Sequence, residues 1–175
     1  MLTKDEYYLK LAVKEAKKAF DKNEVPVGAI IVIDGKVIAK AHNLKETKKN
    51  GLYHAEMIAI DKAMKKLNLK VLENATIYIT LEPCLMCTGA IMNARIKRVC
   101  FAASEKKFGA LGSIVDISNT QGFNHKLEVT KGIMENEVSE LMKTFFKKLR
   151  DKWFALKSII WYNIKELSFL ETKVL

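Results

Sequence analysis

Cysteine and proline are scarce in this sequence, with three cysteines and two prolines, Pro26 and Pro83, among 175 residues. An odd handful of cysteines cannot build a disulfide framework, which sets aside the small secreted scaffolds. In a reducing compartment a close cysteine pair points instead to metal or redox chemistry. Long apolar runs are missing too, and none approaches the roughly 20 residues that cross a bilayer, so no membrane partner is expected. The N-terminus, Met1-Leu2-Thr3-Lys4-Asp5-Glu6, has no apolar stretch behind a basic one. It does not read as a signal peptide, and the expected location is the cytoplasm. There is no internal repeat and no low-complexity segment. What remains is a balance of 49% hydrophobic and 29% charged residues, enough for a packed core in one domain. The net charge of +10 favours an anionic partner such as nucleic acid, without establishing one by itself.

The pattern along the chain alternates helices and strands. Thr3 and Glu6 have capping-box spacing, and Leu9, Ala12, Val13, Ala16 and Phe20 recur at helical spacing behind them. Two apolar runs, 27–33 and 36–41, flank Asp34-Gly35, a strong hairpin signal. A lysine-rich loop covers 43–51, and a helical pattern runs from His54 through Leu67. Residues 75–81 are β-branched and aromatic and predict a strand. A helix over 84–94, short strands over 98–102 and 126–130, and an amphipathic helix over 134–150, continuing to about 162, complete the reading. Such alternation predicts an α/β fold with helices covering a central sheet.

Two short segments carry chemistry: His54-Ala55-Glu56 and Pro83-Cys84-Leu85-Met86-Cys87. Each opens a predicted helix, where positive potential and unsatisfied N–H groups favour a thiolate. The two-residue gap puts both sulfurs within one helical turn. Catalytic zinc sites use three protein ligands and keep a fourth position for water, and one imidazole with two thiolates gives that count. Glu56, two residues from the histidine, could then take a proton from water and return it to a ring nitrogen and a leaving amine. The alternatives stay open on these residues alone. A Cys-x-x-Cys pair can be metal-binding, redox-active or incidental, but a redox pair has no need of the upstream histidine and glutamate. A structural zinc site would want a fourth ligand; Cys100 lies in the apolar run Val99-Cys100-Phe101 and reads as a buried strand residue. His42 and His125, unpaired in sequence, read as ordinary polar positions.

With the segments Glu24-Val25-Pro26-Val27-Gly28-Ala29 and Thr80-Leu81-Glu82-Pro83-Cys84 added, the chain resembles the cytidine and deoxycytidylate deaminase superfamily, and within it the bacterial tRNA-specific adenosine deaminases. The likeness covers roughly residues 1–150. It includes Ala94-Arg95-Ile96-Lys97-Arg98-Val99, Gly109-Ala110-Leu111-Gly112-Ser113, Asn124-His125, and Phe145-Phe146 with Arg150. The zinc signature H-x-E…P-C-x-x-C belongs to the superfamily as a known pattern. The resemblance implies a three-layer α/β/α cytidine-deaminase-like fold around a central mixed five-stranded sheet. It implies one Zn2+ per subunit on His54, Cys84 and Cys87, with Glu56 as the catalytic proton shuttle. Asn43 would bond the flipped nucleoside, Val25, Pro26 and Val27 would wall the base pocket, and Ala55 would offer its N–H to the purine.

The implied reaction is hydrolytic deamination of adenosine to inosine at the wobble position of an arginine tRNA. The partners would be a tRNA anticodon stem-loop and a second copy of the chain, in a homodimer whose sites borrow RNA contacts across the interface. Lys106, Lys107, Phe145, Phe146, Lys147, Lys148 and Arg150 are the candidate RNA contacts, with Lys45, Lys48 and Lys49 further phosphate candidates. Departures fall on RNA docking: Asn50-Gly51-Leu52-Tyr53 replaces the family's usual loop before the histidine, and Glu105 stands where an aspartate is common. Residues 1–150 would form the deaminase domain and 151–175 a C-terminal extension, helical then loose, with no assigned role. Two rivals remain: a deaminase of free bases or nucleotides with the same chemistry, and a non-catalytic zinc module that binds RNA.

Overall fold

In the computed structural model, which describes the backbone of residues 2–171 and the side chains of 2–157, the alternating pattern becomes one mixed sheet with helices on its faces. The elements in order are α1 (Lys4–Asp21), β1 (Gly28–Ile33), β2 (Lys36–His42), α2 (Ala55–Leu67), β3 (Ala75–Leu81), α3 (Leu85–Asn93), β4 (Arg98–Ala103), β5 (Glu128–Lys131) and α4 (Glu135–Glu171). A single 3₁₀ turn at Ile117–Asn119 lies between β4 and β5.

The sheet order is β2-β1-β3-β4-β5. β1 pairs antiparallel with β2 and β3, whereas β3, β4 and β5 run parallel. The hairpin turns on Asp34 and Gly35, both at positive φ (49° and 74°), the backbone that a two-residue turn between twisted strands requires. Side chains alternate across the sheet. Ala29, Ile31, Ile77 and Ile79 join Ala55, Ala59 and Ile91 in one core on the α2–α3 face. Ile30, Val32 and Tyr78 point the other way, toward α1, whose Leu9, Ala12, Val13 and Ala16 are buried. Helices on both faces of a mixed five-stranded sheet make the three-layer α/β/α fold of the cytidine deaminases.

Local sequence explains the boundaries. Thr3 caps α1 through a full capping box with Glu6. Gly28 opens β1 where α1 crosses it: a Cβ there would lie 2.0 Å from the Ala12 carbonyl oxygen, so only glycine lets helix and strand meet. β5 sits two residues later than its apolar pattern suggests, because pairing with β4 sets its register. The chain divides into two compact units, Met1–Leu141 and Met142–Leu175. α4 is one continuous helix across that division, reaching Glu171 where the pattern suggests an end near 162; the expected loose end beyond it lies outside the described residues.

Candidate metal and active site

Both chemistry-bearing segments start helices, and they start them at the same place. His54 is the N-cap of α2 and Cys84 the N-cap of α3; both have extended backbones, and neither side chain caps its own helix. The imidazole and the thiol are therefore left to serve the site. Cys87 follows in the first turn of α3, and Glu56 in the first turn of α2. The Nδ1 atom of His54 lies 3.5 Å from Cys87 Sγ and 3.9 Å from Cys84 Sγ. All three ligand atoms fall within 4.8 Å of one another, and among the described residues no other group of three His, Cys, Asp or Glu side chains does so. This is the donor set and spacing that zinc accepts.

The electrostatics agree. Hydrogen bonding from Cys87, opposed by burial and helped by His54, lowers the Cys84 thiol to about 4. The same pairing with Cys84, with burial, pushes the Cys87 thiol up, so one thiolate forms readily and its neighbour holds the shared proton. The hydrogen bond with Cys84 raises His54. Glu56 is 4% exposed, and burial pushes its carboxyl above the usual carboxylate range. Its Oε2 is the one buried side-chain oxygen or nitrogen without a hydrogen-bond partner among the described residues. An unpartnered buried carboxylate oxygen costs about 1–3 kcal/mol or more in a protein with nothing to gain from it. The residues present fit a zinc ion, with Glu56 beside it.

Two buried carboxylates that the motifs do not single out brace this centre. Glu82 (2% exposed) accepts backbone N–H groups of Glu105, Leu111 and Ser113 at 2.9–3.1 Å and the Ser113 hydroxyl. It fixes the loop after β4, which also reaches the metal helix through an Ala110 N–H to Pro83 carbonyl bond of 3.0 Å. Glu24, fully buried, does the same on the other side, for the loop after β2. A glutamate directly ahead of each proline-containing segment is the only trace of these roles in the sequence.

Two backbone bonds tie the candidate pocket segments to the start of α2. The Asn43 N–H donates to the Val27 carbonyl at 3.0 Å, which sets residues 25–27 against Asn43. The Leu44 N–H donates to the Tyr53 carbonyl at 3.0 Å, which brings Asn43 close in space to His54. Ala55, first in α2, is fully buried. Lys45, Lys48, Lys49, Lys106 and Lys107 are exposed on the two loops. Phe146, Lys147, Lys148 and Arg150 are exposed on α4 within the second unit, while Phe145 is buried with its ring 5.5 Å from that of Phe146. Leu52 and Tyr53, in the loop that departs from the family, are exposed beside the metal segments, as are Leu85 and Phe108, to which the sequence reading gave no role. The non-ligand cysteine and histidines have structural places: Cys100 is buried in β4, His42 contacts Glu15 at 3.1 Å, and His125 contacts the Ile96 carbonyl at 2.8 Å.

A sheet of this order, with imidazole, thiols and a buried carboxylate gathered at two helix starts, is that of a deaminase, and the model of the MafB19-like deaminases matches residues 3–150. Among curated proteins the chain is 48% identical to the tRNA-specific adenosine deaminase of Bacillus subtilis, over 86% of this chain and 94% of that protein. It is 49% identical to that of Aquifex aeolicus, over 83% and 96%. A solved structure from work on A-to-I editing by tRNA:A34 deaminases at the wobble position of transfer RNA matches with a TM-score of 0.74 at 38% identity, covering 77% of this chain and 97% of that one. The chain belongs to the family of tRNA-specific adenosine deaminases.

Proposed function

We propose that this enzyme hydrolyses the C6–amine bond of the wobble adenosine in a tRNA, an arginine tRNA by family analogy, yielding inosine and ammonia. The observation that carries the reading is the triad of His54 Nδ1 and two sulfurs beside the unpartnered Oε2 of Glu56. His54, Cys84 and Cys87 would hold zinc, which as a Lewis acid makes water nucleophilic near neutral pH. Glu56 takes a proton from the attacking water and places it on the ring nitrogen next to C6. It then passes the second proton to the amine, which leaves as ammonia. Burial suits the carboxyl to both halves of this cycle, because a raised proton affinity lets it hold the proton between the two transfers.

Around this chemistry, Asn43 binds the flipped nucleoside, residues 25–27 wall the base and the Ala55 N–H meets the purine edge. The backbone fits that last role, since the first N–H groups of a helix have no partner within it. The exposed lysines of the two loops, with Phe146, Lys147, Lys148 and Arg150, meet the anticodon stem-loop. Phe145 would contribute to that surface only by supporting Phe146 from inside. Residues 1–150, close to the span of the family match, form the deaminase domain, and 151–175 an appended segment. The active form is a homodimer in the cytoplasm; among the described residues no helix is long and apolar enough to cross a membrane.

The test is direct: purified protein incubated with total tRNA, followed by inosine mapping and metal analysis. The expected result is inosine at the anticodon wobble position and about one zinc per chain. Equal turnover of free adenosine or guanine would favour a small-molecule deaminase, and a chain without zinc after metal-replete expression would overturn the catalytic reading.

A further inference from the structure

Asn43 is buried at 5% exposure, and its amide faces a carboxylate. The Nδ2 group donates to Glu24 Oε2 at 3.2 Å. A carboxylate only accepts, so the orientation of the amide is set by chemistry: nitrogen toward Glu24, oxygen away from it. Glu24 is itself held from behind. Its Oε2 also accepts the Glu46 N–H at 3.1 Å, and its Oε1 accepts the Thr47 N–H at 2.6 Å. It is 0% exposed and so shut off from bulk solvent. Asn43 cannot turn its amide over without setting its oxygen against that of Glu24.

We infer that Glu24 is a positioning residue for the pocket: through its bond to Asn43 it fixes the side-chain oxygen of Asn43 as the acceptor that meets a hydrogen-bond donor on the substrate. This rests on the reading of Asn43 as a substrate contact. Glu24 touches no substrate itself. It also anchors the backbone of the 43–49 loop, so the pocket asparagine and the loop lysines share one buried anchor.

The geometry predicts a specific suppression pattern. Glu24→Gln sets an amide against an amide; turning it to satisfy Asn43 would point its own NH2 at the Thr47 N–H. Asn43→Asp sets two carboxylates face to face. Combined, the two changes restore a donor–acceptor bond with the roles exchanged. The free oxygen of the new carboxylate faces the substrate, and the one oxygen of the new amide stays available to Thr47, while its NH2 gives up the bond to the Glu46 N–H, so recovery is partial.

Initial-rate kinetics on tRNA with zinc-loaded enzyme test this, alongside melting temperature and zinc content for each variant. Each single change is expected to lower kcat/KM at least about tenfold, the scale of one buried hydrogen bond. The double variant is expected to recover at least about threefold above the weaker single variant, since contacting residues couple non-additively. A double variant whose loss equals the product of the single losses would overturn the inference, as would single variants at wild-type rate. A melting temperature that recovers in the double variant while kcat/KM does not would show a stabilising role only, and overturn it as well. Wild-type protein that makes no inosine in tRNA would instead overturn the proposed function, so the two failures are told apart.

Discussion

A glutamate on a helix is ordinary; Glu56 differs because the protein buries it and, among the described residues, gives its Oε2 no partner. That arrangement is costly unless a proton, a water or a substrate uses the oxygen. Glu56→Gln preserves shape and hydrogen-bonding capacity but cannot carry a proton. We expect turnover to fall by about 10²–10⁴-fold, the usual contribution of a general acid–base group, with zinc content unchanged. Inosine formation and metal analysis on one preparation check both halves, and a variant keeping more than about a tenth of the rate would assign the proton transfers elsewhere. The cluster of His54, Glu56, Cys84 and Cys87 was legible in the sequence because each half is local, two positions apart at the opening of one helix and three at the opening of the other. Glu82 was not, because its donors lie 23 to 31 residues further along the chain. Nothing local distinguishes a carboxylate that later segments will enclose from one that faces solvent.

Among elements, two of the points that bind α1 to the sheet differ in kind. One is steric. At Gly28 a Cβ would meet the Ala12 carbonyl at 2.0 Å and the Ala16 nitrogen at 2.6 Å, so Gly28→Ala must push helix and strand apart. Because both obstacles are backbone, the cost should reach the upper end of overpacking, about 3 kcal/mol, seen as a denaturation midpoint shifted down at constant slope. The other point is electrostatic. Arg98 at the start of β4 donates two bonds to Asp5 at 2.9 and 2.6 Å, and Tyr78 donates a third at 2.9 Å. The Arg98 bond holds the Asp5 carboxyl below its ordinary range against the opposing effect of burial. A carboxyl lowered on folding stabilises the fold above its unfolded pKa, and that stability is lost as pH falls through the folded value. Asp5→Asn should therefore lower the melting temperature near pH 7 by about 4–8 °C, for about 2 kcal/mol. The gap to wild type should begin to narrow as pH falls past about 4 and close only below the lowered folded value, where both chains lack the charge. A gap independent of pH would show that packing, not charge, joins these elements. The capping box, the Asp-Gly hairpin and β3 were readable as elements because each has a local chemical signal. α4 ran longer than its reading because no glycine or proline interrupts residues 135–171, so nothing stops the helix where the family likeness ends.

At the scale of the whole molecule, the net charge of +10 becomes informative only when combined with where the lysines lie. Those of the 43–49 and 104–108 loops are exposed on either side of the segments that carry the metal site, and those of α4 form part of an exposed, aromatic-bearing stretch. A surface used to hold RNA must release counterions when it binds, and a merely solvated one does not. The two differ in the slope of log binding constant against log salt, which falls by about 0.7 for each phosphate neutralised on a single strand. If Lys147, Lys148 and Arg150 each meet a phosphate, replacing all three with alanine should flatten that slope by about 2 and weaken tRNA binding at low salt. All three are exposed, so melting temperature and zinc content should stay within error of wild type, as surface changes of this kind usually cost under about 0.5 kcal/mol. Filter binding from low to moderate salt gives the slopes directly. An unchanged slope with unchanged affinity would leave the RNA surface to the two loops. The matching triple change at Lys48, Lys49 and Lys106 would then be expected to flatten the slope instead, and tRNA binding that ignores salt in every variant would remove phosphate contact from the account altogether.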